Sequence, residues 1–234
     1  MGPRQLLRIA RINFVLLRHG LDELVLDVPL LRSFRFIKPL MFWRWLHRPQ
    51  GSRGERIRNA LEDLGPIFVK FGQILSTRRD LLPSDIALEL AHLQDRVAPF
   101  PGAEARFIVE RSLGQPLAAI FAEFDETPLA SASIAQVHAA RLLDGRSAVV
   151  KVIRPGIDRV IDDDIRLMYT LAELVERYIP DARRLQPRQV VAEFDKTIHD
   201  ELDLMREAAN ASQLKRNFKD STVLHVPEVY WPYV

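Results

Sequence analysis

A run of small residues followed by a lysine-bearing strand is the part of this chain best suited to chemistry. Residues 129–137 read Leu-Ala-Ser-Ala-Ser-Ile-Ala-Gln-Val, and Lys151 follows in a second apolar strand after a turn at Asp144 and Gly145. Small side chains let main-chain N–H groups approach a polyphosphate closely, and a lysine on the neighbouring strand supplies a cation for it. The spacing therefore predicts a phosphate-binding hairpin.

The strand that carries Lys151 is so apolar that the charge of this lysine needs a partner. Its neighbours Val149, Val150, Val152 and Ile153 form an apolar run, which is typical of a strand covered on both faces. Because an unpaired buried ammonium is costly, we expect Lys151 to contact phosphate and a helix carboxylate. The alternative is an edge lysine whose stem packs on the protein while its charged end reaches water.

The small-residue loop, residues 130–136, contains no glycine. Alanine raises the cost of a positive φ, so we expect this loop to be stiffer than a glycine-rich one. Ser131 and Ser133 are candidate hydroxyl donors to phosphate oxygens. Taken alone, an Ala/Ser run is also typical of the start of a helix.

A second group of polar residues lies on a predicted helix at about residues 67–80. At 100° per residue, Lys70, Gln73 and Thr77 share one face of this helix. An ordinary solvated face would look the same. Gly72 argues for a closer fit, because a glycine within a helix costs about 1 kcal/mol relative to alanine. The glycine predicts a close contact on this helix.

Glu201 interrupts an apolar stripe on a long helix predicted at about residues 188–218. The stripe consists of Val191, Phe194, Ile198, Glu201, Met205 and Ala208. A carboxylate in such a stripe has either a raised pKa or a cationic partner, for which Lys151 or Lys70 is the candidate. Asp203 lies about 200° round the helix and would face a different partner. The alternative places Glu201 at the stripe margin with its carboxylate in water.

Composition excludes several classes of site. The 234 residues, 47% of them hydrophobic, include no cysteine, so disulfides and thiolate metal sites are ruled out. The six histidines have no metal-ligand spacing, and we predict no metal-catalytic centre from this chain. They are His19, His47, His92, His138, His199 and His225.

The basic residues concentrate at the front of the chain. Residues 1–60 carry 12 Lys and Arg against 4 Asp and Glu, although the net charge of the whole is only +2. Residues 4–18 predict a basic amphipathic helix, and residues 29–50 bring aromatic side chains beside arginines. This pattern favours an anionic membrane surface, or equally helices that pack on the rest of the protein. Nucleic acid is the weaker interpretation and is not predicted as a partner.

The remaining pattern predicts an α+β chain. No apolar stretch reaches the length of a membrane-spanning helix, so we do not expect this chain to cross a bilayer. Further helices are expected at about 55–64, 85–96, 103–113 and 157–179, and strands at about 121–129, along the hairpin and at 226–230.

Four ordered motifs together resemble those of the UbiB family of atypical kinase-like proteins. They are Lys70-Phe71-Gly72-Gln73, Ala130-Ser131-Ala132-Ser133, Lys151 and Glu201-Leu202-Asp203. The resemblance implies the small antiparallel sheet of a protein-kinase-like N-lobe, a helical N-terminal extension and long helices. It divides the chain into a basic helical segment (1–54), an extension with the Lys-x-Gly-Gln motif (55–120) and the lobe itself (121–234).

The same resemblance implies a nucleotide site. ATP would be bound by Leu129, Ala130, Ser131, Ala132, Ser133, Ile134, Ala135, Gln136, Val137 and Lys151. Lys70, Gln73, Glu201 and Asp203 would control access to the pocket, with Glu201 paired to a lysine. The catalytic aspartate, the Mg²⁺ ligands, the C-lobe and the family's membrane segments are expected beyond residue 234.

The resemblance also implies a biological role. The expected function is an ATPase or atypical kinase that supports ubiquinone biosynthesis at the cytoplasmic side of the inner membrane. Its implied partners are ATP, ubiquinone biosynthesis proteins and an anionic membrane surface or an isoprenoid or quinone lipid. The alternative is a noncatalytic membrane-surface adaptor or lipid-binding accessory protein.

Overall fold

The computed structural model describes residues 3–21, 51–78, 80–94, 97–178 and 180–234. The predicted class is confirmed: helices accompany one small sheet of three antiparallel strands. In chain order the elements are α1 Pro3–Arg18, α2 Arg53–Leu64, α3 Pro66–Thr77, α4 Ser84–Leu90, α5 Gly102–Leu113, β1 Phe121–Ser131, β2 Ala135–Leu142, β3 Ser147–Ile153, α6 Ile157–Tyr178, α7 Pro187–Asp200 and α8 Leu204–Asn217. The aromatic segment predicted at residues 29–50 lies outside the described residues.

The long helix predicted at residues 188–218 is wrong as a single helix. It divides into α7 and α8, and residues 201–203 form the connection between them. The carboxylate of Asp203 caps α8 by accepting a hydrogen bond from the N–H of Arg206. This cap satisfies an amide at the start of α8 that a continuous helix would have bonded to its own backbone.

The strand predicted at residues 226–230 is also not formed. These residues adopt neither helix nor strand. Tyr230 packs against the core of the sheet, and the guanidinium of Arg146 lies 4.6 Å from the centre of its ring. Tyr230 therefore covers the sheet core with its side chain, and the segment adds no strand to the sheet.

The described chain forms two compact units, each assembled from two stretches of sequence. The first contains residues 1–97 and 159–194, and the second contains residues 98–158 and 195–234. No helix in the described part of the chain has both the length and the apolar composition needed to span a bilayer.

In the first unit, the basic helix α1 is packed on the protein. Ile12 and Val15 are buried, while Phe14 faces solvent. Arg8 donates two 2.8 Å hydrogen bonds, from Nε and Nη2, to the carboxylate of Asp164 on α6, and a third to the carbonyl of Leu64. The described part of this helix therefore directs apolar side chains and one arginine into the protein. This agrees with the alternative that the basic helix packs on the rest of the protein.

Helix α3 approaches its neighbours closely at Gly72, as the sequence predicts. A Cβ added to Gly72 would lie 2.5 Å from Cδ1 of Leu93 and 2.7 Å from Cδ1 of Leu61. Leu93 belongs to a buried cluster with Val69, Ile86 and Leu90. The glycine is therefore a packing requirement of this helix.

We expect Gly72→Ala to destabilise the protein by about 1 kcal/mol. Overpacking a core costs about 1–3 kcal/mol, and the better helix propensity of alanine returns about 1 kcal/mol. The free energy of unfolding in urea measures this difference. In a Leu93→Ala background the cost of the same change should fall, because one of the two clashing methyl groups is gone. A stabilising effect of Gly72→Ala in the parent chain would contradict the close contact.

The second unit is built on the sheet β1–β2–β3. Ser131 pairs with Gln136 across the β1–β2 hairpin, and Val137 pairs with Lys151 across β2 and β3. One face packs on α5 and contains Val109, Phe121, Leu142 and Val152 in its core. Because side chains alternate along a strand, Lys151 points to the opposite face.

Candidate functional site

The second face of the sheet is open beside Lys151. Val149 lies two residues before Lys151 on the same face and is 63% exposed, while Val137 is half-buried in the cross-strand position. The prediction that β3 is covered on both faces is therefore wrong for the described residues. An exposed valine beside a lysine offers a flat apolar surface next to a positive charge.

Lys151 is paired with Glu207, a residue that the sequence analysis did not single out. Its Nζ lies 2.5 Å from Oε2 of Glu207, in the first turn of α8. The sequence predicts Lys151 or Lys70 as the partner of Glu201, but in the structure Lys151 pairs with the carboxylate of Glu207, six residues further along. A pairing of Glu201 with Lys70 stays a prediction. The start of a helix also favours the negative charge of Glu207.

The ion pair is partly open to solvent. The side chain of Lys151 is 35% exposed and that of Glu207 is 51% exposed. Ion pairs at such positions add only about 0–1 kcal/mol to stability, so this one is not needed to hold the fold together. It keeps a lysine ammonium at the edge of an apolar surface, where an anionic ligand could reach it.

The small-residue segment forms a tight hairpin turn. Residues 130–131 end β1, residues 135–136 begin β2, and the N–H of Ala132 donates to the carbonyl of Ala135. None of residues 130–136 has a positive φ, so the turn avoids the conformation that alanine disfavours. Ser133 has no exposed surface, and its hydroxyl is therefore not available to a ligand in this conformation.

Arg154 holds this turn from the end of β3. Its Nη2 donates to the carbonyl of Ala98 at 3.0 Å, to Oγ of Ser131 at 3.2 Å and to the carbonyl of Ala132 at 3.4 Å. Its own N–H donates to the carbonyl of Ile134. These contacts support the predicted stiffness of the turn by a route that the sequence analysis did not foresee.

Buried polar side chains fix the other end of the turn. Gln136 is fully buried and exchanges hydrogen bonds with the N–H and carbonyl of Phe100. Its Nε2 also lies 2.9 Å from Nε2 of the buried His138. Since the amide donates there, the other ring nitrogen of His138 carries the proton, and Nδ1 donates to the carbonyl of Asp125. Gln136, for which the resemblance implies a contact with ATP, therefore supports the turn in the structure.

We expect Gln136→Leu to destabilise the protein by about 2 kcal/mol. The change leaves the N–H and carbonyl of Phe100 buried without their side-chain partner, which costs about 1–3 kcal/mol. Gln213→Leu, on an exposed face of α8, is the matched control and should change stability by less than about 0.5 kcal/mol. Urea unfolding measures both; equal effects would mean that the Gln136 network carries no stability.

The remaining predicted residues lie in both units. Lys70 and Gln73 are on α3 in the first unit, where Nε2 of Gln73 donates to the carbonyl of Leu93 at 3.1 Å. Glu201 and Asp203 lie in the α7–α8 connection of the second unit, and Asp203 is the cap of α8. Asp203 therefore fixes the start of the helix that carries Glu207.

No metal centre is formed by the described residues. Within residues 3–21, 51–78, 80–94, 97–178 and 180–234, no three His, Asp or Glu side chains come together as metal ligands would.

Comparison with known proteins places this geometry in a family context. Residues 92–234 match the ABC1 atypical kinase-like domain. The chain is 54% identical over 233 residues to the "Probable protein kinase UbiB" of Marinobacter nauticus, covering 98% of this chain and 42% of that protein. It is 56% identical over 236 residues to the protein of the same name from Pseudomonas aeruginosa (strain LESB58), covering 100% of this chain and 44% of that protein.

A solved structure is also similar. The Rv3197–erythromycin complex from Mycobacterium tuberculosis is 30% identical to this chain, with a TM-score of 0.49, and the match covers 73% of this chain and 43% of that one. The chain thus spans less than half the length of the curated relatives it matches.

Proposed function

Because the chain belongs to the ABC1 atypical kinase-like family, we propose that its sheet unit binds ATP on the open face of β2 and β3. The observation that supports this most is the ion pair between Lys151 and Glu207, 2.5 Å apart beside an exposed apolar surface. In protein kinases, a lysine on the third strand and a glutamate on a helix form such a pair and position the nucleotide phosphates.

The residues present fit the two ends of a nucleotide. Val137 and Val149 offer an apolar surface for the flat base, and Lys151 supplies the cation for the phosphate chain. The turn at residues 130–136, held by Arg154 and Gln136, would border the phosphates through its backbone and Ser131. Bound ATP would supply the phosphoryl group; Lys151 would orient it, and Glu207 would hold Lys151 in place.

The two other motifs are proposed to control access to this site. Lys70 and Gln73 would act from α3, and Glu201 from the connection before α8. What supports this proposal is the 54% identity, over 98% of this chain, to a "Probable protein kinase UbiB". Mg²⁺ is proposed as the ion that accompanies ATP in the whole protein.

The wider role proposed is that of an ATPase or atypical kinase that supports ubiquinone biosynthesis. The relatives named "Probable protein kinase UbiB" support it. The proposed setting is the cytoplasmic side of the inner membrane, with ubiquinone biosynthesis proteins and an isoprenoid or quinone lipid as partners. Since the chain spans less than half of those relatives, this role, setting and set of partners are proposed for the whole protein.

A pair of matched variants tests the nucleotide site. Val149→Glu places a negative charge on the open face, and Leu143→Glu places the same charge at an equally exposed leucine in the β2–β3 turn; the two residues are 63% and 62% exposed. Titration with a fluorescent ATP analogue should show affinity lost in Val149→Glu and kept in Leu143→Glu. Equal affinities in the two variants would rule out this face as the binding surface.

A second candidate function is that of a lipid-binding accessory protein without catalysis. The observation that favours it is a large apolar cavity in the first unit, lined by α1, α2, α3, α6 and α7. The two functions use different units of the chain, and the same protein could perform both. Nucleotide titration and lipid titration of the full chain distinguish them.

A further inference from the structure

The first unit contains a cavity of about 350 Å³ whose lining carries almost no polar surface. Its described walls come from helices α1, α2, α3, α6 and α7 and from Leu81, Leu82 and Leu185 in the connections between helices. The cavity is open to solvent, and contiguous apolar surface that is left exposed to water often marks a ligand-binding groove.

The apolar character of the described walls limits what the cavity can hold. Water beside these walls finds few polar partners, so an apolar ligand that displaces it gains free energy. An extended peptide is a poor occupant, because its backbone N–H and C=O groups would find few partners on these walls. Most small-molecule pockets place a few polar groups among their apolar residues, and the described walls of this one carry almost none. Hydrocarbon is the chemistry that matches such walls.

We propose that this cavity binds the aliphatic tail of a single-chain lipid, whose polar end stays outside. An apolar cavity of about 150 Å³ takes benzene, which has six carbons; by proportion, about 350 Å³ takes about 14 carbons. This inference extends the lipid part of the proposed function and names its site. It does not depend on nucleotide binding, because all the lining residues that the structure describes belong to the first unit.

The helix that carries the Lys-x-Gly-Gln motif forms part of the cavity wall. Phe68, Phe71 and Leu75 of α3 line it, and the ring of Phe71 meets that of Phe194 edge-on at 5.1 Å. Arg8 is held over the ring of Phe68 and bonded to the buried Asp164. A tail in the cavity would therefore touch α1 and α3 together, and its binding should stabilise the packing of α1.

A homologous series of saturated fatty acids tests the proposal. Acids of 8 to 18 carbons compete with a fluorescent polyene fatty acid for the full chain, each below its micelle-forming concentration. Because the head group is constant, affinity should rise about fourfold per added methylene and stop rising near 14 carbons. Adsorption to an exposed surface would give no such limit. Affinity that is absent, or that rises without a plateau, overturns the proposal.

Variants that fill the cavity should change the fatty-acid length at which affinity stops rising. Ala172→Leu adds three carbons to the wall and should shorten the plateau by about three carbons, while Ala192→Leu, on the exposed side of α7, should leave it unchanged. Val190→Phe adds four carbons at a half-buried lining position and gives the same reading if Ala172→Leu fails to fold. A plateau that neither variant moves contradicts the assigned cavity.

The lipid proposal and the nucleotide proposal can be contradicted independently. Val149→Glu should bind the fatty acids as the parent chain does, because Val149 is in the second unit. A chain that binds ATP and no fatty acid would overturn the cavity proposal alone. A chain that binds fatty acids with the predicted limit and no ATP would overturn the nucleotide site alone.

Discussion

Replacing Lys151 with methionine is expected to weaken ATP binding by roughly 10- to 100-fold. Methionine is unbranched like lysine and nearly as long, but it has no charge. The loss of affinity therefore isolates the contact between ammonium and phosphate. Hydrogen bonds to charged groups contribute about 1.5–3 kcal/mol, which corresponds to this range. Calorimetric titration of ATP into the full chain measures the change.

Two further variants make this result specific. Lys215→Met removes a lysine from the exposed end of α8 and should leave ATP affinity unchanged. Glu207→Gln should reduce affinity by a smaller factor than Lys151→Met, because it frees the lysine without removing it. The Lys151–Glu207 pair is partly exposed. The free energies of unfolding of Lys151→Met and Glu207→Gln should therefore lie within about 1 kcal/mol of that of the parent. Unchanged affinity in Lys151→Met would remove this lysine from the site.

Replacing Arg8 with methionine is expected to destabilise the protein by about 3 kcal/mol at pH 7. Only 3% of the Asp164 side chain is exposed, and Arg8 is its partner in a bidentate ion pair. Removing one member of a buried pair leaves an uncompensated charge, which costs about 3–5 kcal/mol. Urea unfolding followed by far-ultraviolet circular dichroism gives the free energy difference.

The same helix provides the control. Arg18 forms an exposed ion pair with Asp63, and Arg18→Met should cost less than about 1 kcal/mol. Adding Asp164→Leu to Arg8→Met should recover much of the loss, because the orphaned carboxylate is then gone. Equal effects of Arg8→Met and Arg18→Met would contradict a buried ion pair.

The cost of Arg8→Met should also depend on pH. Burial raises the pKa of Asp164 above its usual range, although the Arg8 guanidinium lowers it in part. A carboxyl whose folded pKa is raised stabilises the fold when protonated, and that contribution is lost as pH rises through the folded pKa. Without Arg8 the pKa of Asp164 should rise further. The deficit of Arg8→Met should therefore be smaller at pH 5 than at pH 7.

Local patterns predicted most of the elements because each carries its own signal. The hairpin turn at Asp144 and Gly145 joins the two strands expected for it, and Gly145 has a φ of +85°. Helix α2, expected from about residue 55, begins at Arg53 after a capping box between Ser52 and Glu55. Gly72 indicated a close approach that the structure contains. In each case the deciding interaction lies within a few residues or concerns a single side-chain volume.

The break between α7 and α8 was missed because the apolar spacing continues across it. Val191, Phe194 and Ile198 are buried as predicted, and Ala208 is buried beyond the break, but Met205 is exposed. Asp203 before Leu204 and Met205 is an N-cap signal that could have located the start of α8. Counting from that cap would have placed Glu207 in its first turn, where it meets Lys151.

The open face of the sheet could not be predicted from the strand itself. An apolar run such as that around Lys151 has the same composition whether one or both faces are covered. What decides is the element that packs on the second face, and this depends on distant parts of the chain. The support of the turn by Arg154 and Gln136 is likewise a contact between residues far apart in sequence.

The central claim is that ATP binds on the open face formed by Val137, Val149 and Lys151. Methyl-resolved NMR of valine-labelled chain, titrated with ATP, tests it most directly. The account predicts that the methyl signals of Val137 and Val149 shift together and saturate, while that of Val223, an exposed valine near the C-terminus, does not. Saturating shifts confined to other valines, or no shifts at all, would contradict it.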